Sequence, residues 1–114
     1  IKKGLVNIKK KNVNFSFTIT SFDYPIFRAL RLSRKKKIKM LYPKFRNIRS
    51  QDIEKFYHDA GQFYWAKSEA LFKNLKTFSE HSVPIYVERY RAVDIDTPED
   101  WKQAEIAAKY LLKK

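Results

Sequence analysis

Phe15, Phe17 and Ile19 alternate with Ser16, Thr18 and Thr20, so residues 14–20 carry the two-residue period of a β-strand. Before them, Ile1, Leu5 and Ile8 recur at helical spacing. Residues 1–11 are expected to form the C-terminal part of a helix already under way, rich in Lys where the helix dipole favours cations and tolerant of Gly4. Residues 21–25 turn. Residues 26–32 fit a short helix or a strand equally well, residues 33–37 make a basic hairpin-like connection, and residues 38–42 are a short apolar piece. The stretch 43–60 has no period and reads as a long loop, with a turn of helix around residues 51–57. A buried strand over residues 61–67 carries Phe63, Tyr64 and Trp65, and a short helix over residues 68–74 starts with Ser68 as its cap. Residues 83–88 alternate again, with Val83, Ile85 and Val87 on one face. The last helix, residues 98–112, sets Trp101, Ala104, Ala108 and Leu111 in a core-facing stripe. Strands alternating with helices predict an α/β layered fold, a mixed sheet flanked by helices, in a single domain.

At 114 residues and 44% hydrophobic, the chain can bury a modest core of its own. It has no cysteine, which removes disulfides and thiolate metal sites and suits a reducing compartment, with the cytoplasm as the expected location. No apolar run reaches the length of a membrane span. The net charge of +13 is concentrated in residues 1–49, which carry +14 against −1 for residues 50–114. A basic half attracts anions, and a basic nucleic-acid-binding module is the alternative function of a different class. Most of the excess lies in Lys runs such as 9–11 and 35–37, typical of solvated helix ends and loop tips, and no nucleic-acid recognition module is legible.

With only Gly4 and Gly61 present, no glycine-rich loop can set backbone amides against a phosphate. Two histidines, His58 and His81, cannot build a multi-His zinc site, and His58 beside Asp59 reads as a structural hydrogen-bonding pair ahead of a catalytic dyad. Oxygen chemistry remains. Around residues 93–101, Thr97 is a good N-cap, Pro98 suits the first helical position, and Asp100 can reach back to the cap. If the chain is extended at Asp94 and Asp96, residues two apart point to one side, so both carboxylates can face one hard cation such as Mg²⁺. The alternative is a pair of solvated acids beside a helix cap. Arg28, Arg46 and Arg49 offer forked partners for carboxylate or phosphate, although Arg28, inside an apolar run, would ordinarily snorkel outward.

Arg49-Ser50-Gln51-Asp52, the run from Tyr57 to Trp65 (Tyr-His-Asp-Ala-Gly-Gln-Phe-Tyr-Trp), and Asp94-Ile95-Asp96-Thr97 followed by Glu99-Asp100-Trp101 resemble the C-terminal half of the nonulosonate cytidylyltransferases. This is the CMP-sialic acid synthetase family, and the long motif is most similar to its pseudaminic acid branch. The resemblance covers nearly the whole chain from Phe15 onward and implies part of a Rossmann-like nucleotide-diphospho-sugar transferase fold. It implies transfer of CMP from CTP to the C2 hydroxyl of a nine-carbon acidic sugar, with Mg²⁺ as cofactor and pseudaminic acid as the sugar. Sialic or legionaminic acid is the alternative within the family. Asp94 and Asp96 match its metal-binding acids, Arg49 its arginine for the sugar carboxylate, and Arg28 a basic residue near that group. Gln51, His58, Asp59, Gln62 and Tyr64 are pocket candidates by the same resemblance. It also implies a homodimer, with residues 76–83 in the dimerisation region and Phe78 reaching the partner's sugar site. The family's CTP-binding N-terminal segment has no counterpart in these residues. The chain is therefore expected to be half an enzyme, inactive alone and poor at binding CTP.

Overall fold

The computed structural model describes residues 1–113. They form two compact units, one of residues 1–20 together with the chain from Asp59 onward, the other of residues 21–58. The first contains helix α1 (Lys2–Ile8), strand β1 (Phe15–Ser21, entering the second unit at its last residue), most of strand β4 (Tyr57–Ala66), helix α2 (Ser68–Phe72), strand β5 (Ser82–Tyr86) and helix α3 (Pro98–Leu112). The second holds two short strands, β2 (Leu30–Leu32) and β3 (Ile38–Met40), and three single 3₁₀ turns at Ile26–Arg28, Pro43–Phe45 and Ser50–Asp52.

The sheet of the first unit has the order β4-β1-β5. β1 and β5 run parallel, Phe15 opposite Ser82 and Ile19 opposite Tyr86. β4 runs the other way, for the Lys67 N–H donates to the Asn14 carbonyl at one end of β1 and the Phe22 N–H to the Phe56 carbonyl at the other. Mixed α/β architecture, with helices against a mixed sheet, is thus what the alternation of patterns predicted.

The alternation along β1 is real, but its polar side does not face water. Phe15 and Phe17 are buried with Ala70 of α2, joined by Ile19 and Ala66, while Ser16, Thr18 and Thr20 are at most 3% exposed. Asn7 of α1 donates to the Ser16 hydroxyl, which itself donates to the Val83 carbonyl, so one of the three is hydrogen-bonded. The Thr18 and Thr20 hydroxyls have no partner among the described residues. Helix α1 covers part of this side, with Asn7 reaching Ser16.

α1 comes nearest at Gly4. A Cβ there would lie 2.2 Å from Trp65 Cδ1 and 3.2 Å from Phe63 Cε2, so this glycine is a packing requirement and not simply tolerated. Ile8 is buried as its spacing predicted, whereas Ile1 and Leu5 are exposed.

Several expected boundaries move. β4 begins at Tyr57, not at residue 61, because the expected helical turn over 51–57 is only the 3₁₀ turn Ser50–Asp52. Within β4, Phe63 and Trp65 are half-buried but Tyr64 is exposed. α2 is capped at Lys67, with no side-chain hydrogen bond from Ser68 or any other residue at its start. β5 starts and ends earlier than residues 83–88.

α3 spans the expected residues, with Thr97 and Asp100 forming a capping box. Its inner stripe differs: Ala104, Ala107 and Leu111 are half-buried, while Trp101 is 58% exposed and Ala108 is exposed as well. The first turn carries its bulk outward because small residues face the sheet.

In the second unit, residues 26–32 turn out to be both alternatives in succession, a 3₁₀ turn and then β2. β2 and β3 pair antiparallel with Leu30 opposite Met40, closed by the basic connection, in which Lys36 has a φ of 56°. Phe27 anchors this unit: it stacks on Phe45 at 4.3 Å and takes edge contacts from Tyr42 and Phe56.

Candidate functional site

The acidic junction is built by the start of α3. The Asp100 carboxylate accepts from the Thr97 hydroxyl at 2.6 Å and from the backbone N–H groups of Thr97 at 2.8 Å and Asp96 at 3.2 Å, while the Asp100 N–H donates to Thr97 Oγ1. The Thr97 side-chain bond, and then the backbone bonds, hold the Asp100 carboxyl below its ordinary range. Asp100 is committed to the cap. Asp94 and Asp96 are different: both are exposed, and neither carboxylate has a hydrogen-bond or ion-pair partner among the described residues. The segment between the 3₁₀ turn Arg89–Arg91 and α3 is irregular and not a continued strand, so the expected sheet geometry at Asp94 and Asp96 is replaced by a loop whose exit the cap fixes. No cluster of three or more His, Cys, Asp or Glu side chains is present among the described residues. Two unpaired carboxylates fit a hard divalent ion that completes its shell with water and phosphate oxygens, the usual manner for Mg²⁺.

On β4, the Tyr64 hydroxyl donates to Asp59 Oδ2 at 2.5 Å. That hydrogen bond first, then burial and the negative charge of Asp59, push the Tyr64 phenol up to about 12. Tyr64 also stacks on Phe17 at 5.3 Å, and Phe78 meets the same Phe17 edge-on at 5.4 Å while remaining 68% exposed. Gln62 donates its side-chain N–H to the Arg91 carbonyl. It also borders a cavity of about 490 Å³ lined by Thr18, Ile85, Val87, Arg91 and Leu111. Asp59, Gln62, Tyr64, Phe78, Asp94 and Asp96 all belong to the first unit.

Arg28, Arg49, Gln51 and His58 belong to the second. Arg28 does not simply snorkel: its Nη1 donates to the carbonyls of Phe45, Arg46 and Ile48 at 3.1–3.4 Å and so ties down the loop that leads to Arg49. Arg49 forks onto Asp52, Nε to Oδ2 at 2.8 Å and Nη2 to Oδ1 at 3.4 Å. The 3₁₀ turn between them places i and i+3 side chains on one side. This leaves the Nη1 end of the guanidinium for another carboxylate. Asp52 is the partner that sequence reasoning missed, and the three-residue spacing from Arg49 was the available signal. Gln51 is exposed on the same turn, and the His58 ring lies 4.8 Å from Phe22.

Against known proteins, the chain is 36% identical over 109 residues to pseudaminic acid cytidylyltransferases of two Campylobacter jejuni strains, serotypes O:23/36 and O:2. The match covers 96% of this chain and 47% of each relative. The chain is homologous to the C-terminal half of pseudaminic acid cytidylyltransferases. It thus spans about half the length of these relatives. A Helicobacter pylori protein named as a pseudaminic acid cytidylyltransferase and a UDP-2,4-diacetamido-2,4,6-trideoxy-β-L-altropyranose hydrolase is 29% identical over 87 residues, 76% of this chain. No family model matches the chain. Among the described residues, no helix is long and apolar enough to cross a membrane.

Proposed function

We propose that this chain is the acid-sugar- and metal-binding part of a cytidylyltransferase that moves CMP from CTP to the C2 hydroxyl of pseudaminic acid. In that reaction the C2 oxygen, giving up its proton, bonds to the α-phosphorus of CTP as the bond to the β-phosphate oxygen breaks and diphosphate leaves. The observation that carries the site assignment is the contrast at the start of α3, where Asp100 is saturated by the cap while Asp94 and Asp96 stand unpaired. Asp94 and Asp96 would hold Mg²⁺, which neutralises charge developing on the phosphates. Arg49 would take the sugar carboxylate, with Arg28 fixing the loop before it. In the first unit Asp59, Gln62 and Tyr64 would contact the sugar; Gln51 and His58, in the second, are sugar-contact candidates by the resemblance alone. The names of the Campylobacter relatives favour pseudaminic over sialic or legionaminic acid as the sugar. A homodimer is part of this reading, with the exposed face of Phe78 turned to the partner's sugar site.

The test is Asp96→Asn, which keeps size and one acceptor oxygen but removes a charge. In the complete enzyme, turnover at saturating substrates should fall at least about a hundredfold, equivalent to roughly 3 kcal/mol of lost transition-state stabilisation. Metal-free stability should stay within about 1 kcal/mol of the parent, since the cap is Thr97 and not Asp96. On the isotope-labelled chain, Mn²⁺ should broaden the amide signals of residues 94–96, and Asp96→Asn should suppress this. Normal turnover at ordinary Mg²⁺, or broadening elsewhere only, refutes the metal assignment.

A further inference from the structure

Asp59 and Tyr64 are five residues apart on one strand, so strict alternation would put them on opposite faces of the sheet. The bond between them shows that they share one. Between them lies Gly61, with a φ of 63°, the only positive value in β4. Nothing lies within 4 Å of where a Cβ would sit, so no close neighbour demands glycine here; the left-handed backbone does. The hydrogen bonds at the two ends of the β1–β4 pair, Asn14 with Lys67 and Phe22 with Phe56, enclose more residues on β4 than on β1. The surplus must leave the ladder as a bulge, and a glycine in the left-handed region is where such a bulge forms.

We propose that Gly61 is a positioning residue that, by bulging β4, turns Asp59 under the Tyr64 hydroxyl and makes Tyr64 an acceptor-only contact for the acidic sugar. A phenol has one proton, and here it is donated in a hydrogen bond to the carboxylate of Asp59. The phenol oxygen can then offer a ligand only its lone pairs. The group it reads must be a donor, either an amide N–H or a hydroxyl. A carbonyl or ether oxygen at that place would face another acceptor and be rejected. Phe17 supports the arrangement by stacking on the Tyr64 ring, and Phe78 in turn meets Phe17 edge-on. Retention of the Tyr64 proton far into the alkaline range is consistent with it. The inference deepens the proposed function, since it rests on Tyr64 facing the acidic sugar.

Two measurements test it. With tyrosines labelled at the ring carbons, the Tyr64 signal of the chain should titrate near 12, and Asp59→Ala, which removes both the acceptor and the charge, should return it toward an ordinary phenol, near 10. Gly61→Val, which resists the left-handed region, should do the same, while Gly61→Asn, which tolerates it, should leave the parent behaviour. In the complete enzyme, kcat/KM for pseudaminic acid should exceed that for analogues methylated on single amide nitrogens or single hydroxyls at one position by about tenfold or more, the worth of a lost hydrogen bond. The position identifies which donor is read. Asp59→Ala, which removes the acceptor and frees the phenol to donate, and Gly61→Val should shrink that ratio to about threefold or less, with Gly61→Asn retaining it. An unchanged Tyr64 titration and ratio in Gly61→Val overturns the proposal. A parent enzyme indifferent to every methylated analogue also overturns it. If Arg49→Ala raises the KM for the sugar while these outcomes fail, the sugar-site reading stands without this refinement. If Arg49→Ala and Tyr64→Phe both leave that KM unchanged, the sugar-site reading itself falls.

Discussion

Replacing Gly4 by Ala sets two effects of opposite sign against each other. In an ordinary helix interior the change stabilises by about 1 kcal/mol, because glycine loses more backbone entropy on folding. At this position the new methyl would sit 2.2 Å from Trp65 Cδ1 and 2.7 Å from Nε1, far inside contact distance. Either the indole gives way by more than an ångström or α1 lifts from the sheet, and overpacking of this kind costs roughly 1–3 kcal/mol, more where several atoms clash. Trp65 is only half-buried, so its ring can yield in part, and the net expectation is a loss of about 1–2 kcal/mol. Urea unfolding followed by far-UV circular dichroism measures it. A Trp65→Ala background supplies the control, since removing the indole should make Gly4→Ala stabilising and give a coupling energy above about 1 kcal/mol. If Gly4→Ala alone raises stability as a solvent-facing helix glycine would, the contact between α1 and β4 is refuted.

Thr97→Ala removes the cap hydroxyl of α3 and should cost about 1 kcal/mol by thermal or urea melting. The same cap lowers the Asp100 carboxyl, so its contribution is complete above the ordinary carboxylate range and disappears as pH falls through the depressed folded value. Thr97→Ala should therefore flatten the acid limb of the stability profile; an unchanged limb would count against the capping box. Arg49→Lys keeps a charge but loses the fork to Asp52, and should weaken sugar binding in the complete enzyme by about 1.5–3 kcal/mol, with CTP affinity little changed. A rise in the KM for CTP alone would make Arg49 a phosphate ligand.

The chemistry of single residues was legible where it is local. Thr97, Pro98 and Asp100 announce the start of α3 because capping depends on side chains three positions apart. The β1 alternation was equally plain, but which side meets solvent depends on α1, whose Asn7 reaches Ser16, a tertiary matter with no local signature. Trp101 was misjudged for the same reason: helical period places it beside Ala104, yet the bulk of its ring is turned outward. The early start of β4 was hidden by Gly61, whose bulge breaks the two-residue period that would have extended the strand back to Tyr57. Arg28 looked like a lone charge in an apolar run, because its three carbonyl acceptors lie 17 to 20 residues away in sequence.

Pro84 sits in β5, opposite Phe17 and on the outer strand of its sheet. The Val87 N–H donates inward to the Ile19 carbonyl, so alternate residues turn their backbone groups away from β1, and Pro84 is one of these. Its missing N–H therefore costs the sheet nothing on the inside and leaves a gap in the row of donors on the outside. A foreign strand laid along β5 would find that row interrupted. The same pyrrolidine ring that the fold accepts without penalty thus removes one donor from the row that edge-to-edge pairing would need.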